Sequence, residues 1–514
     1  MKRMKTTMGW LVMAAALTIG MTACSNADSI SEEPQQPENP AQKTYTMTVV
    51  ASKGGDDALT RALTYDSSTK TLNATWKAGE GVKVLGVNDE GTAWEIVGTL
   101  YAQSDGVSTT LEGTLDKAPR KKLGDSDCPI QLVFPRFPLV YSGQKGTLAD
   151  IAANFDYASS HTSDWTETDG NISIDGTAEF NNGTQAIVRF TLKDKDGNAL
   201  NVKSLKLHDA SEADFILSYD EVTATVGDLT ISLDDASSEV WVSIFDGITT
   251  SSILVMTATT EDGDMYTYTR SGVRIKRGSF YSITVKMSKL IDLSKLTADY
   301  EAQDGEVLTG TLGVNYKVSI ADGAKVTLRD VTVNGTNSND YQWAGINCYG
   351  DAEITLEGTN TLKGFHENYP GLYIAQGKTL TIKGSGSLTA SPYDGGTNNS
   401  FGAGIGGGFN LNCGNIVIEG GTITATGGYC ATGIGGGANA LNCGTITIAN
   451  TVTKVTATKG TDAHNSIGFG YPGGCGTVTI GGTEYWGYDE EKARNEYKNG
   501  GDTYLTTSPL VYEP

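Results

Sequence analysis

A unit of roughly thirty residues recurs through the second half of the chain and constrains its fold more than any other feature. Each copy contains short runs of alternating apolar residues around "GI", "VTI" and "TITA", separated by glycines. Three strand segments per copy predict a parallel β-helix over residues 291–514, in which each coil stacks on the previous one. The central apolar positions expected to recur inside it are Leu328, Leu356, Ile382, Ile418, Ile448 and Ile480.

The motif GIGGG occurs twice, at Gly404–Gly408 and at Gly433–Gly437. Together with Gly402, the first copy matches the G-x-G-x-x-G spacing that can cradle a dinucleotide pyrophosphate. Such a site also needs a helix after the glycines, whereas the segment that follows here, FNLNCGNIVIEGG, is strand-like. We therefore interpret the glycines as corners where stacked coils leave no room for a side chain, and we predict no nucleotide or other cofactor.

Three cysteines share the register of the repeat. Cys413, Cys443 and Cys475 each precede their central isoleucine by five residues, so stacked coils would align them in a column within disulfide range. Because an odd column cannot pair completely and a thiol packs well as a small apolar group, we favour buried thiols over a disulfide. The sequence contains no Cys-x-x-Cys pair of the kind that binds zinc, and we predict no metal site.

The first half of the chain has a different composition. Most of the 64 glycines lie in residues 291–514, and this change marks a domain boundary near Lys289. Residues 44–290 contain many short strand-like segments, such as AIVRFTL and EVWVSIF, with Asp-Gly turns in KDKDGNAL and TEDGDMYTY. This density predicts β-sandwiches, and the length suits two, assigned to residues 44–165 and 166–290. The expected fold class is all-β.

The chain begins with a targeting segment. Residues 1–24 combine a basic start, the apolar run GWLVMAAALTIG and the ending MTAC. The run is too short to span a bilayer, so it predicts a signal peptide, and the polar, Pro-rich residues 25–43 predict a flexible tether. The ending resembles the lipobox of bacterial lipoproteins, with Met21 in place of the usual leucine. This implies that Cys24 is acylated, for example with palmitate; the alternative is a secretory signal with an incidental cysteine.

The charge balance excludes several kinds of partner. Acidic residues outnumber basic ones by 60 to 38, and the net charge is −22. Such a surface repels nucleic-acid backbones and anionic lipid. We expect no nucleic-acid partner, and membrane contact only through the lipid anchor.

Several motifs in residues 44–290 follow the order found in fimbrillin-type proteins of Bacteroidales. TRALTYDSSTKTLNATWKAGEGVKVLGV resembles their opening, and AIVRFTLKDKDGNALNVKSLKLHDAS resembles the start of their second, transthyretin-like sandwich. The resemblance implies a surface-exposed pilus subunit, anchor or tip adhesin of the cell outer membrane or fimbrium. In polymerising members a protease cleaves after an arginine and removes the first strand, so that the groove accepts a strand from another subunit. Arg61 occupies the matching position; the alternative is an ordinary loop arginine.

The repeats resemble β-helical, carbohydrate-binding regions of surface proteins from gut Bacteroidales, and this implies a glycan or a host surface protein as partner. The connections between coils carry aromatic rings with Asn and Asp neighbours, which suit sugars. Several rings could instead cap the helix core. The candidate ligand-binding residues are Tyr341, Trp343, Phe365, His366, Tyr369, Tyr393, Phe401 and Tyr429.

An enzyme is the alternative, because parallel β-helices also host polysaccharide lyases and hydrolases. Glycoside hydrolysis needs two facing carboxylates, whereas the acids of the repeat are scattered and none recurs in register. We predict no catalytic residues and expect an adhesin or pilus tip rather than an enzyme. A purely structural surface spacer is the second alternative.

Overall fold

The computed structural model describes residues 44–53, 63–87, 94–119, 130–162, 164–180, 185–211, 214–220, 223–245, 248–394 and 399–514. Strands dominate these residues, which confirms the predicted all-β class. The helical segments described are α1 (Leu148–Asp150), a π turn (Ile151–Phe155), a 3₁₀ turn (Leu293–Lys295) and α2 (Gly501–Tyr504). Cys24 and Arg61 lie outside the described residues.

The first part of the chain builds an eight-stranded sheet around one apolar cluster. Its order is β10-β11-β1-β6-β5-β4-β7-β9, and β2 and β3 form a separate hairpin. The sheet extends to Phe180, past the boundary predicted between residues 165 and 166. The strands are β1 (Tyr45–Lys53), β2 (Thr64–Asp66), β3 (Thr71–Asn73), β4 (Gly81–Val87), β5 (Trp94–Ala102), β6 (Ser108–Leu115), β7 (Ile130–Phe134), β8 (Leu139–Val140), β9 (Ala158–Thr162), β10 (Trp165–Thr168) and β11 (Asn171–Phe180).

The first strand lies in the interior of this sheet. β1 pairs in parallel with β11 and antiparallel with β6. Its alternating residues Met47, Val49 and Ala51 are at most 1% exposed, whereas Val50 between them is 50% exposed. The period of two is what a strand with one buried face requires.

Two further sheets pack face to face across a second apolar cluster. One is the three-stranded sheet β17-β12-β20, and the other begins with β13-β16-β18-β19. Val188 and Val242 from the first sheet meet Leu205, Ile231 and Met256 from the second in that cluster. The strands are β12 (Gln185–Lys193), β13 (Val202–Asp209), β14 (Phe215–Tyr219), β15 (Ala224–Gly227), β16 (Leu229–Ser237), β17 (Glu239–Phe245), β18 (Ile248–Thr259), β19 (Met265–Ile275), β20 (Phe280–Lys286) and β21 (Ser288–Asp292).

Residues 300–480 form parallel ladders in which each strand pairs with one from the preceding pass, and the last three strands, β40 to β42, pair antiparallel. We call residues 300–480 the coil stack. A seven-stranded sheet, β22-β24-β26-β29-β32-β35-β38, forms one side, and two parallel series in the long sheet form the others. The strands are β22 (Tyr300–Ala302), β23 (Val307–Thr311), β24 (Val318–Ile320), β25 (Ala324–Val333), β26 (Ile346–Cys348), β27 (Ala352–Glu357), β28 (Thr359–Lys363), β29 (Leu372–Ile374), β30 (Thr379–Gly384), β31 (Ser387–Ser391), β32 (Ile405–Gly406), β33 (Asn415–Ile418), β34 (Thr422–Thr426), β35 (Ile434–Gly435), β36 (Ile446–Ile448), β37 (Lys454–Thr458), β38 (Ile467–Gly468), β39 (Val478–Ile480), β40 (Thr483–Asp489), β41 (Arg494–Tyr497) and β42 (Leu510–Tyr512).

The register of the stack agrees with the repeat in its later coils and differs in its earlier ones. Ile382, Ile418, Ile448 and Ile480 pair in succession and are buried. The preceding partner of Ile382, however, is Ile354 rather than the predicted Leu356. Residues two apart share a face of a strand, so both positions point into the core, and the sequence alone does not distinguish them.

The cysteine column is present, but the preference for free thiols was wrong for its first pair. Cys413 and Cys443 are joined by a disulfide with a Cα–Cα distance of 4.6 Å. Cys475 continues the column through a parallel bridge to Cys443 and remains a buried free thiol. Parallel stacking in register places neighbouring Cα atoms close enough for a disulfide, and the odd third cysteine is left over.

The coil stack continues the sheet that precedes it. β21 pairs antiparallel with β19 and in parallel with β23, so the boundary predicted between residues 290 and 291 falls inside a shared strand. Arg329 adds side-chain contacts: Nε donates to Glu357 Oε2 at 2.7 Å, and Nη1 donates to Thr267 Oγ1 at 3.0 Å. Backbone pairing therefore joins the stack to the strands before it.

Candidate binding site

Five loops cross the same corner of the coil stack, where the chain passes from the long sheet to the seven-stranded sheet. We call them the corner loops: residues 334–345, 364–371, 392–404, 427–433 and 459–466, with 395–398 outside the description. Backbone N–H groups of one loop donate to carbonyls of its neighbour. These bonds are Ser338 N to Phe365 O (3.3 Å), Phe401 N to Glu367 O (2.7 Å), Tyr429 N to Ser400 O (2.6 Å) and Cys430 N to Thr461 O (2.8 Å).

The glycines of the GIGGG motifs set how closely the coils approach in the seven-stranded sheet. A Cβ on Gly406 would lie 2.0 Å from Gly435 O, and one on Gly435 would lie 2.0 Å from Gly468 O. Gly406 and Gly435 also have φ values of 133° and 124°, which disfavour any side chain. The strand β33, and not a helix, follows the first GIGGG motif. The glycines therefore serve the stacking, and no helix N-terminus is available there for phosphate.

The first group of predicted rings is mainly a cap on the core. Tyr341, Trp343 and Phe365 lie with ring centroids 5.4 to 6.4 Å apart and pack against the apolar interior of the stack. Phe365 is 1% exposed, so its ring cannot meet a ligand. Trp343 Nε1 is buried and finds no acceptor among the described residues.

The predicted histidine is also buried. His366 is 6% exposed, and its Nδ1 accepts from the Asn368 N–H at 3.2 Å. This leaves Nε2 to donate to Asn339 Oδ1 at 3.0 Å. Likewise, the side-chain oxygen Oδ1 of Asn337 accepts a hydrogen bond from the Glu367 N–H at 3.1 Å. These amides, which we expected to bond sugar hydroxyls, hold adjacent loops together.

Two tyrosines at the seven-stranded sheet lie outside the corner loops, next to Tyr369 in one of those loops. Tyr349 and Tyr373 lie 6.1 Å apart in an edge-to-face arrangement, and Tyr349 is 51% exposed. Burial, and then the phenols of Tyr369 and Tyr373, raise the pKa of Tyr349 above its ordinary value. Only Tyr369 was predicted. The alternation of Tyr373 with the buried Leu372 and Ile374 was the sequence feature that could have identified it.

The remaining predicted rings lie further along the stack. Tyr393 is 38% exposed, next to residues outside the description. Phe401 is half-buried between Phe409 and Tyr429, with centroid distances of 5.3 and 6.1 Å. A hydrogen bond to Asp462 and the charge of that carboxylate raise the pKa of Tyr429. The corner loops thus place Tyr369, Tyr393 and Tyr429 at partly accessible positions. Phe365 and His366 are buried and contact neighbouring parts of the stack instead.

Parts of the chain are similar to solved fimbrial and cell-adhesion structures. A fimbrial protein from Bacteroides ovatus is 13% identical with a TM-score of 0.22, and the match covers 48% of this chain and 49% of that one. Candidate cell adhesion proteins from Bacteroides uniformis (13% identity, TM-score 0.28) and Bacteroides fragilis (12%, 0.26) match over 48% of this chain and 94% and 93% of theirs. This chain therefore spans about half the length of the ovatus protein. No protein-family model and no curated protein matches it.

Acidic side chains of the stack bond to neighbouring coils. Asp330 Oδ1 accepts from the Thr359 N–H at 2.9 Å, and Glu357 pairs with Arg329. No group of three or more His, Cys, Asp or Glu side chains that could hold a metal occurs in the part of the chain that the structure describes. Within the same residues, no helix is long and apolar enough to cross a membrane.

Proposed function

We propose that this protein is a surface-exposed fimbrial lipoprotein that acts as an adhesive tip subunit. In this proposal two β-sandwiches follow a Cys24 lipid anchor in the outer membrane, and a C-terminal parallel β-helix binds a glycan or a host protein. The MTAC ending, the fimbrillin-like motifs and the coil stack support it. The observation that carries it is the combination of a first strand that is paired on both edges with a last strand, β42, that is held by β37.

The first strand is suited to removal. β1 lies between β6 and β11, and its buried residues Met47, Val49 and Ala51 fill the core of the sheet. Cleavage after Arg61 would release this strand and leave two unpaired edges over an apolar groove. A replacement strand would pair with both edges and place apolar side chains at alternate positions. Arg61 follows β1 in the sequence, so proteolytic cleavage after it would separate β1 from the rest of the chain.

The last strand of the structure, β42, is unsuited to being donated to another subunit. The last strand, β42, pairs antiparallel with β37, opposite Val455 to Ala457. Leu510 is 1% exposed, and Lys454 forms an ion pair with Glu513 at 3.1 Å. Releasing this strand would expose the apolar interior of the stack. A subunit that accepts a strand but donates none ends a fibre, and this favours the tip over the stalk.

Mass spectrometry of the mature N-terminus in surface-sheared material tests the processing step. We expect the assembled form to begin immediately after Arg61, while the unassembled form begins at acylated Cys24. Arg61→Ala should keep the Cys24 form and remove the protein from the sheared fraction. Lys77→Ala, at an exposed position nearby, should leave both forms unchanged. Assembled chains that all begin at Cys24 would contradict the proposal.

Adhesion is tested with a glycan array and immobilised mucin. Open aromatic faces bind sugars weakly, on the order of millimolar. Loss of one contacting ring in Tyr369→Ala or Tyr393→Ala should weaken binding by about three- to tenfold. Tyr488→Ala is the matched control, because Tyr488 is 56% exposed on β40 and outside the corner loops. Absence of binding by the unmodified chain, or an equal loss with Tyr488→Ala, would favour a structural spacer.

We propose no enzymatic activity. The engagement of Asp330, Glu357 and other stack acids with neighbouring coils supports this, since glycoside hydrolysis needs two carboxylates that face each other across a substrate. An assay for reducing ends or unsaturated uronates on polysaccharides is expected to give no product. Turnover that exceeds a heat-denatured sample would overturn this part of the proposal.

A further inference from the structure

We infer that the free edge of β20 binds an extended, acidic segment of another protein, which pairs with β20 as an added strand. β20 is the last strand of the sheet β17-β12-β20, and no strand in the described ranges pairs with its other edge. This edge belongs to the sheets around the second apolar cluster, apart from β1 and from the corner loops. Binding there therefore requires neither cleavage after Arg61 nor a ligand at the corner loops.

Alternate backbone groups of β20 point away from its one partner. The Met287 N–H, directly after the strand, donates to Lys193 O of β12 at 2.8 Å. In a parallel ladder alternate residues bond to one neighbour, so the backbone groups of residues 281, 283 and 285 also face β12. Those of Ser282, Thr284 and Lys286 face the other way, and their N–H and C=O groups have no hydrogen bond within the described chain. Such an edge is a template for one more strand.

An apolar slot of about 240 Å³ opens beside this edge. Ile283 and Val285 of β20 line one side, and Tyr268 and Val273 of β19 line the other. Tyr268, Val273 and Ile283 pack against the second apolar cluster but remain partly exposed. The slot is smaller than the roughly 300–1,000 Å³ of typical small-molecule pockets. It suits the alternate apolar side chains that a strand paired with β20 would direct inwards.

The rim of the slot is basic, unlike the protein as a whole. Residues 265–291 contain six basic and no acidic residues, in a chain whose net charge is −22. Two of the six, Arg270 and Arg274, line the slot and are exposed, and no carboxylate from the described residues lines it with them. Neither guanidinium has a hydrogen bond or an ion pair in the part of the chain that the structure describes. A carboxylate on an added strand would therefore form charge-assisted hydrogen bonds with an uncompensated arginine.

The edge, the slot and the rim together select one kind of partner. A second copy that paired through the same edge would bring two basic rims together, and this repulsion disfavours a symmetric dimer. A free anion would contact the arginines but would leave the strand edge and the slot unused. A segment with a short run of alternating apolar residues and a carboxylate at each end uses all three features.

Fluorescence anisotropy on the full mature chain tests the edge with labelled peptides of seven residues, the length of β20. The acidic peptide is Glu-Thr-Val-Thr-Val-Thr-Glu, in which Glu and Val share one face of an extended strand. The neutral and basic peptides replace both Glu by Gln or by Lys. We expect the acidic peptide to bind with a Kd below about 1 mM and about tenfold more tightly than the neutral one. The basic peptide should bind more weakly still.

Modified backbones and variants locate the binding. N-methylation of one alternate set of peptide residues should abolish binding and that of the other set should not, because only one peptide edge pairs. Thr284→Pro removes an outward N–H from an edge strand that tolerates proline and should abolish binding, whereas Thr284→Val keeps the N–H and should not. Arg270→Gln should weaken the acidic peptide about tenfold and leave the neutral one unchanged. Lys276→Gln removes the same charge from an exposed position that does not line the slot and should change neither.

Several outcomes would overturn the inference. These are absence of binding by the acidic peptide at 1 mM, equal binding of the three peptides, and binding that survives both sets of N-methylation. An equal loss with Lys276→Gln would indicate diffuse attraction instead. Arg270-dependent binding of decanoate without binding of the acidic peptide would reassign the slot to fatty acids. Arg61→Ala and Tyr369→Ala should leave peptide binding unchanged, so failure here is distinguishable from failure of the proposed function. Thermal melts check the folding of each variant, and the methylated peptides test backbone pairing even if Thr284→Pro unfolds.

Discussion

Single glycines decide whether adjacent coils can stack. A methyl group at position 406 would contact Gly435 O and would also occupy a backbone conformation with φ of 133°. We expect Gly406→Ala to destabilise the coil stack by about 3 kcal/mol, from overpacking and left-handed strain together. Gly377→Ala is the control, because φ is 76° there but nothing lies within 4 Å of the added Cβ. It should cost about 1 kcal/mol in urea unfolding. Equal losses would mean that strain alone, rather than close approach, explains both.

The cysteine column has a defined oxidation pattern at the residue scale. Burial raises the pKa of the Cys475 thiol to about 12, so at neutral pH it is not a thiolate and does not attack the neighbouring disulfide. Peptide mapping without reductant should find Cys413 linked to Cys443. Iodoacetamide at pH 8 should label Cys475 only after unfolding. A link between Cys443 and Cys475, or labelling of the native chain, would contradict this pattern.

At the scale of elements, β1 contributes to stability through one face only. In the uncleaved chain Met47→Ala should lower the free energy of unfolding by about 2–5 kcal/mol, because it leaves a cavity in a core where Met47 is 1% exposed. Val50→Ala, on the exposed face of the same strand, should change it by no more than about 0.5 kcal/mol. Denaturant unfolding of both variants measures the difference. Similar losses of stability in the two variants would mean that β1 does not have one buried face and one exposed face.

Two aspartates link the early coils, and the charge of one of them, Asp322, makes the stack sensitive to acid. Asp322 Oδ1 accepts from the Asp351 N–H at 2.7 Å, and Asp351 Oδ1 accepts from the Thr379 N–H at 2.7 Å. The hydrogen bond from the Asp351 N–H is the main reason that the pKa of Asp322 lies below its ordinary value of 3.8. The neighbouring ammonium group of Lys378 is the second reason. A depressed folded pKa stabilises the fold above that ordinary value, and the contribution is lost as the pH falls through the folded pKa.

The matched variant for this contact is Asp322→Asn, which keeps an acceptor oxygen but does not titrate. The wild type should melt at a higher temperature than the variant at pH 6. The difference between the two melting temperatures should narrow as the pH falls below about 4. A gap that stays constant down to pH 2 would show that the Asp322 charge does not contribute.

The elements show which features a sequence can specify. The all-β class and the stacking of Ile418, Ile448 and Ile480 follow from period-two alternation and a fixed repeat, which are local properties of the chain. The roles of the aromatic rings in the corner loops do not follow from local properties, because the burial of Phe365 depends on a neighbouring coil. Tyr373 could have been recognised from alternation, but its short strand gives a weak pattern.

For the whole molecule, the shared strand β21 determines how force passes between the coil stack and the strands that precede it. It is paired on one side with β19, in the layers that lead back to the N-terminus, and on the other with β23, in the coil stack. Lys289 within it also forms an ion pair with Asp264 at 3.0 Å. Separating the two parts therefore requires breaking backbone pairing and this ion pair, not extending a linker.

This continuity makes the junction resistant to protease. Native trypsin digestion should leave the chain uncut at Lys289, because cleavage needs the strand to leave both partners, and local opening of paired strands is rare. Insertion of six Gly-Ser residues after Lys295 is the matched control. It should create an accessible segment that trypsin cuts at Lys295, while the pairing of β21 with β23 holds the two pieces together until they are denatured. Rapid cleavage at Lys289 in the unmodified native chain would mean that β21 opens readily. The coil stack would then be flexibly attached to the strands before it rather than rigidly continuous with them.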